Sequence, residues 1–237
     1  MKVVTIYGNM RHGSTYHAAQ LVLEALSRRG PLDNREFFLP RDMDHFCNSC
    51  FTCFFKGEEK CPHAADVAPI ASALLEADLI LLASPVYAMD VSGQMKALLD
   101  HLCYMWMSHR PDPRMFNKVG LSVVTTAGAG KGHAAKTLNN TLRFWGVKRQ
   151  FSLKTAVTAA KWDDVKPEKQ EKMRRKADAL ARRIIKAISN IKRLPPPFIR
   201  SVMFAAMKGM MKKNDWNLVD KAHWQKQGWI ESKGTEA

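Results

Sequence analysis

No run of apolar residues in this 237-residue chain approaches the roughly 20 that a membrane-crossing helix needs. The N-terminus also lacks a signal-peptide profile, entering a strand pattern at once, so we expect a cytoplasmic protein. A secreted disulfide framework is missing too: there are five cysteines, and four of them crowd into Cys47–Cys61. In a cytoplasmic chain such a cluster goes with metal binding or redox work. Acidic residues are scarce, 22 against 37 Lys and Arg, giving a net charge of +15. Residues 161–237 carry most of the excess, with 19 Lys/Arg and 9 Asp/Glu. That balance attracts phosphates, yet no nucleic-acid-binding motif accompanies it, and no nucleic-acid partner is expected. What remains, 46% hydrophobic and 25% charged, is ordinary for a globular chain long enough for one domain with additions.

The most informative stretch is Ala77–Gly93. Leu79-Ile80-Leu81-Leu82 is an unbroken apolar run, as suits a strand covered on both faces of a parallel sheet. Ser84-Pro85 is expected to break the ladder there, because Pro85 has no N–H to donate. Ser92 can then cap a helix carrying Met95, Leu98 and Leu99 on one side and running at least to His101. The same pattern predicts strands at Val3–Tyr7, Arg35–Leu39, Val119–Thr126 and Arg149–Val157, and helices at Thr15–Arg29, Val67–Ala77, His133–Trp145 and Glu168–Ile191. Five strands alternating with helices predict an α/β fold with a doubly wound five-stranded parallel sheet. Pro195-Pro196-Pro197 reads as a stiff spacer. We therefore divide the chain into a domain at 1–194 and a basic helical C-terminal extension at 195–237 that the sheet does not require.

Three loops follow predicted strands. Gly8–Thr15 can aim backbone N–H groups, the Ser14 and Thr15 hydroxyls and the Arg11 guanidinium at one anion, with a helix N-terminus behind them. The bland alternative is a tight turn with Ser14 or Thr15 as an ordinary cap. It is not a Walker A loop, for the Gly-Lys-Ser/Thr ending is missing. Gly128-Ala129-Gly130-Lys131-Gly132 has the wrong spacing and place for a dinucleotide fingerprint. It reads better as a third ligand loop beside Gly8–Thr15 and Ser84–Asp90, where small residues admit a flat ring; a flexible turn is the alternative. In the flavodoxin strand order these three loops flank the switch point where ligands bind.

Cys47-x2-Cys50-x2-Cys53-x7-Cys61-Pro62 approaches the ferredoxin-type run that holds an iron–sulfur cluster, with a longer last gap. Zinc is the rival, with His63 as a spare ligand, and thiols that bind nothing are the third alternative. Cys103 reads as a small buried hydrophobe in an apolar helix. His101, His109 and His133 read as solvated or core histidines. The methionines at 203, 207, 210 and 211 suit packing against the domain or a second subunit better than a membrane-surface helix.

With Gly8–Thr15, Ser84-Pro85-Val86-Tyr87, Val91-Ser92-Gly93-Gln94-Met95-Lys96-Ala97 and the cysteine run in view, the chain resembles the NADPH-dependent FMN reductase family of flavodoxin-fold proteins. Within it, the iron–sulfur flavoproteins are most similar. The resemblance covers about residues 1–157, while the tail resembles that of some longer flavodoxin-family oxidoreductases. It implies strand order 2-1-3-4-5, bound FMN, and commonly a homodimer in which the neighbouring subunit covers the flavin. Carried over by position, Asn9, Arg11, Ser14 and Thr15 would hold the FMN phosphate. Pro85, Val86 and Tyr87 would line the isoalloxazine, and Thr125, Thr126, Ala127 and Gly128 would meet its other edge. Cys47, Cys50, Cys53 and Cys61 would be the ligands of a [4Fe-4S] cluster. The family loop reads Gly-Ser-Pro-Arg and then Gly-Asn-Thr; here Asn9-Met10 replaces Ser-Pro, Ser14 replaces Asn, and the loop is one residue shorter.

The expected activity is that of an FMN-dependent NAD(P)H oxidoreductase working by ping-pong hydride transfer to a flavin, quinone, nitro, azo or other small acceptor. The protein would supply orientation and a dry pocket, so no general acid or nucleophile is named. A second expectation is an electron carrier passing single electrons between ferredoxin and another acceptor. A third is a module without turnover, using the basic tail on nucleic acid or an anionic membrane.

Overall fold

The computed structural model describes residues 1–159 and 161–231. Its elements are β1 (Lys2–Tyr7), α1 (Ser14–Ser27), β2 (Asp33–Phe38), α2 (Thr52–Phe55), α3 (Ala64–Glu76), β3 (Leu79–Pro85), α4 (Gly93–His101), β4 (Val119–Thr126), α5 (Lys131–Phe144), β5 (Arg149–Ala156), α6 (Pro167–Ser189), α7 (Phe198–Lys212) and α8 (Leu218–Lys226). The five strands form one sheet in the order β2-β1-β3-β4-β5, and every pairing is parallel. This is the doubly wound, flavodoxin-like architecture expected from the sequence, with helices on both faces.

Alternation along the strands builds two cores. Val4, Ile6, Ile80, Leu82 and Val124 point to one face and pack with α3, α4 and α5. Val3, Leu79, Leu81, Leu121 and Val123 point to the other and pack with α1 and α6. Residues two apart share a face, so the apolar run of β3 is buried throughout. Among the described residues no helix is long and apolar enough to cross a membrane.

The ladder, expected from the sequence to break at Ser84-Pro85, does not break there. It continues to Pro85, which pairs in register with Thr125, and the Val86 N–H then donates to Thr125 O at 2.9 Å. Successive residues of a strand turn their hydrogen-bonding groups to opposite neighbours, so Pro85 turns its nitrogen towards β1. There the pairing has already ended, at Tyr7 and Ala83, and the missing N–H costs nothing.

Helices α7 and α8 pack against the sheet-bearing part of the chain. With the turn after α8 they form a small core of Met211, Trp224 and Ile230, with Phe204, Met207 and Trp229 against it. Trp224 Nε1 donates to His109 O at 2.6 Å, and Arg200 donates to Phe116 O at 2.9 Å and Gly146 O at 3.1 Å. Met211 is buried while Met210 is exposed, so the methionines divide between two sides of α7. The last residues of the extension, 232–237, lie outside the described residues.

Candidate functional site

The C-terminal ends of β1, β3 and β4 open onto one cleft. Asn9, Arg11, Ser14 and Thr15 line it from the first loop, Pro85, Val86 and Tyr87 from the second, and Thr125, Thr126 and Ala127 from the third. Gly13, Val157 and Ala159 join them. The last two follow β5, the neighbour of β4, and so reach the same sheet edge. Gly128 is not among the lining residues; its N–H donates to Thr126 Oγ1 at 3.1 Å, inside its own loop.

Hydrogen bonds between the loops fix this arrangement. Thr15 Oγ1 and Thr125 Oγ1 lie 2.6 Å apart and buried, joining the first loop to the third. Asn9 Nδ2 donates to the Tyr87 hydroxyl at 3.1 Å, joining the first to the second. Ser92 caps α4, accepting from the Met95 N–H at 3.3 Å, and its hydroxyl donates to Gly8 O at 2.6 Å. A Cβ at position 8 would stand 2.5 Å from that Ser92 oxygen, so only glycine fits beneath the first loop. The N-cap of α1 is Gly13, with no side-chain cap. Neither Ser14 nor Thr15 caps the helix; both residues line the cleft, beside first-turn N–H groups suited to an anion.

The second wall rests on a tight turn. Tyr87 and Asp90 exchange backbone hydrogen bonds of 2.9 and 3.1 Å, and both residues between them are left-handed, Ala88 at φ 46° and Met89 at φ 71°. Asp90 is held by the Thr137 hydroxyl at 2.8 Å and lies 3.4 Å from His133 Nε2. Gly130, at φ 85°, brings the third loop against this turn; a Cβ there would meet Val86 Cγ1 at 2.7 Å.

All four cysteines of the compact run line a second cavity, of about 380 Å³, together with His63, His101 and Cys103. Here the structure corrects the reading of Cys103. The helix stops at His101, Cys103 begins a short 3₁₀ turn, and its half-buried thiol joins the cavity wall. Periodicity continued an apolar helix one turn too far. Burial pushes the Cys103 thiol up to about 12 and raises Cys53, whereas hydrogen bonding from Thr52 lowers the exposed Cys50. Cys61 Sγ and one ring nitrogen each from His63 and His101 lie within 4.8 Å of one another. His101 Nδ1 sits 2.8 Å from Ala97 O, which turns Nε2 towards His63 Nδ1 at 2.9 Å. Burial, then the nearby His45 and His101, depress the His63 imidazole. Thiolate and neutral imidazole donors suit zinc or iron. The cysteine loop is tied down by Arg110, whose guanidinium donates to Cys53 O at 2.6 Å and to Glu58 at 3.0 Å.

Comparison with known proteins adds the family. A model of the NADPH-dependent FMN reductase family matches residues 1–162. The chain belongs to that family. It is 32% identical over 149 residues to an iron–sulfur flavoprotein of Archaeoglobus fulgidus, covering 62% of this chain and 64% of that one. An iron–sulfur flavoprotein of Methanocaldococcus jannaschii is 30% identical over 142 residues, covering 59% and 70%. The chain thus spans just under two thirds of the first relative's length. Among solved structures, an azoreductase of Bacillus anthracis superposes with a TM-score of 0.61 at 15% identity, covering 76% of this chain and 98% of that one. An NAD(P)H:quinone oxidoreductase of Methanothermobacter marburgensis gives 0.56 at 15% identity, covering 76% and 96%. These two likenesses are of fold.

Proposed function

We propose that the protein is an FMN-dependent NAD(P)H oxidoreductase that passes reducing equivalents to a small quinone, nitro, azo or flavin acceptor. The observation that carries this reading is the convergence of three loops on one cleft at the switch point of the sheet. The residues fit the cofactor. Arg11, the Ser14 and Thr15 hydroxyls and the first-turn N–H groups of α1 form a donor set for a phosphate. Pro85, Val86 and Tyr87 offer an apolar wall for a flat ring, and Thr125, Thr126 and Ala127 close its other edge. FMN, when bound, supplies the hydride chemistry; the chain binds, orients and keeps water from the ring. Met10, Tyr87 and Met89 stand exposed about the loops, which favours a homodimer whose second copy covers the site. Anaerobic mixing of the FMN-loaded protein with NADH or NADPH tests the proposal. Bleaching of the flavin absorbance by either is expected, and no bleaching by both would sink it.

A second reading concerns the cysteine cavity. Cys47, Cys50, Cys53 and Cys61 would hold a [4Fe-4S] cluster, and a ferredoxin would be the electron donor or acceptor. Its support is that all four thiols line one cavity and that the relatives named above are called iron–sulfur flavoproteins. Iron, sulfide and zinc measured on one anaerobically purified sample decide it. Zinc without sulfide would replace the cluster by a mononuclear site.

A further inference from the structure

Helix α7 is apolar on two opposite sides. One side, with Phe204, Met207 and Met211, packs on Trp224 and Trp229. At 3.6 residues per turn, Phe198, Ile199, Val202, Ala205, Ala206 and Met210 fall within an arc of about 140° on the other. That arc faces solvent: Phe198 is 81% exposed, Ile199 56%, Val202 51% and Met210 59%. Four large apolar side chains in one continuous stripe differ from the isolated exposed residues normal on a surface.

The charge around this stripe has one sign. The helix contains no acidic residue, and Arg200, Lys208 and Lys212 are its charges. At its N-terminal end lies a cavity of about 370 Å³, where Arg143, Lys148, Arg149 and Arg200 stand around Phe198 and Ile199. Hydrogen bonds from these four cations go to neutral oxygens: Arg143 to Asn140, Lys148 to Asn117 and Ile191, Arg149 to Lys148 and Pro195, Arg200 to Phe116 and Gly146. Among the described residues none of the four pairs with a carboxylate. Burial, then Arg200 and Arg149, depress the Lys148 amine, as expected where cations crowd without a counter-ion.

An occupant must offer negative charge at the cavity and apolar matter along the stripe. A second copy of α7 would bring like charges together. A nucleic acid would neutralise the cations but leave Phe198, Ile199, Val202 and Met210 in water. The surface of an anionic bilayer meets both demands, with phosphates at headgroup depth and acyl chains just below. We propose that α7 and the adjoining basic cavity form a docking surface for an anionic phospholipid bilayer. The helix lies in the interface, and a headgroup phosphate sits among Arg143, Lys148, Arg149 and Arg200. The cavity adjoins the start of β5, whereas the cleft lies at the strands' other ends, so docking leaves the cleft open. The proposal goes beyond the oxidoreductase reading, and its readout needs no flavin.

The full-length protein would be sedimented with vesicles of phosphatidylcholine alone and of phosphatidylcholine mixed with phosphatidylglycerol. Binding at least about tenfold stronger to the anionic vesicles is expected, weakening as salt is raised. Phe198→Ser with Val202→Ser should lose that binding, and Arg143→Gln should weaken it about fivefold. Both variants should keep the wild-type circular dichroism. Equal partitioning to both vesicle types, or to neither, overturns the proposal. So does self-association without lipid that the Phe198 and Val202 changes abolish, which assigns the stripe to a second copy. Binding of inorganic phosphate in the cavity without vesicle binding makes it a free-anion site and overturns it as well.

Discussion

Arg110 and Asp220 lie 110 residues apart in sequence and meet in a buried ion pair, Nη1 to Oδ1 at 2.5 Å. Each has a second task. Arg110 holds the cysteine loop through Cys53 O and Glu58, while Asp220 accepts from Asn217 Nδ2 at 2.8 Å and lies 2.8 Å from His109 Nδ1. The C-terminal extension is therefore coupled to the cysteine cavity through one guanidinium.

Replacing Asp220 by Ala should leave that guanidinium with the half-exposed Glu58 as its remaining carboxylate. A hydrogen bond to a charged group contributes about 1.5–3 kcal/mol, and a urea melt should show a loss of about that size. The loosened loop should also expose Cys53, so its alkylation in the metal-free protein should quicken relative to Cys50. An unchanged melt would mean that the pair is not a structural tie.

Arg11 is expected to matter for cofactor binding. Its guanidinium lines the cleft beside Ser14 and Thr15, and a hydrogen bond to a charged group contributes about 1.5–3 kcal/mol. Arg11→Gln should therefore raise the FMN dissociation constant about tenfold or more, read by fluorescence titration of the apoprotein. Equal affinity would place the phosphate elsewhere.

Much of this was legible in the sequence, for physical reasons. The parallel doubly wound sheet followed from five strand-like runs alternating with amphipathic helices, its order 2-1-3-4-5 was implied by the family resemblance, and the cleft followed from loops that must emerge at one sheet edge. Ten residues named from three loops line that cleft together. Gly128 does not, because its N–H turns back to Thr126. The rest depended on contacts between distant segments. Nothing near Cys103 or His101 in sequence announces Cys61 and His63 as neighbours, and no local rule pairs Arg110 with Asp220. Val157 and Ala159 could have been found by extending the sheet-edge argument to the loop after β5.

The turn between Tyr87 and Asp90 stores strain that can be removed. A side chain in the left-handed region costs about 1–2 kcal/mol, and glycine gives back about 0.5–1 kcal/mol of that in lost chain entropy. Met89→Gly, at φ 71°, should therefore stabilise the protein by roughly 0.5 kcal/mol. Gly130→Ala should act oppositely, because φ is 85° there and the new Cβ would press on Val86 at 2.7 Å. A loss of about 1–3 kcal/mol is expected, with weaker FMN binding as the wall shifts. Thermal melts of both variants would show opposite signs; a stabilising Gly130→Ala would contradict the packing described.

Lys118 provides a pH test of the fold. Its amine is buried beneath the end of α3, donating to Leu75 O at 2.8 Å and to Ala77 O. Burial pushes it down to about 8, whereas an unfolded lysine keeps its proton to about 10.4. Between those values the unfolded state binds more protons than the folded one, so this group's contribution makes stability rise with pH. Below that window both states are protonated, and the cost of the buried charge is constant. Discounted for solvent screening, the gain should be about 1–2 kcal/mol. Tyrosines and cysteines titrate in the same range, so the wild type must be compared with Lys118→Met, in which they remain and the amine does not. Urea melts of both from neutral pH to pH about 10 should show the difference moving in favour of the wild type. A difference that stays flat would mean that Lys118 keeps an ordinary proton affinity, and that the two carbonyls at the end of α3 compensate its burial in full.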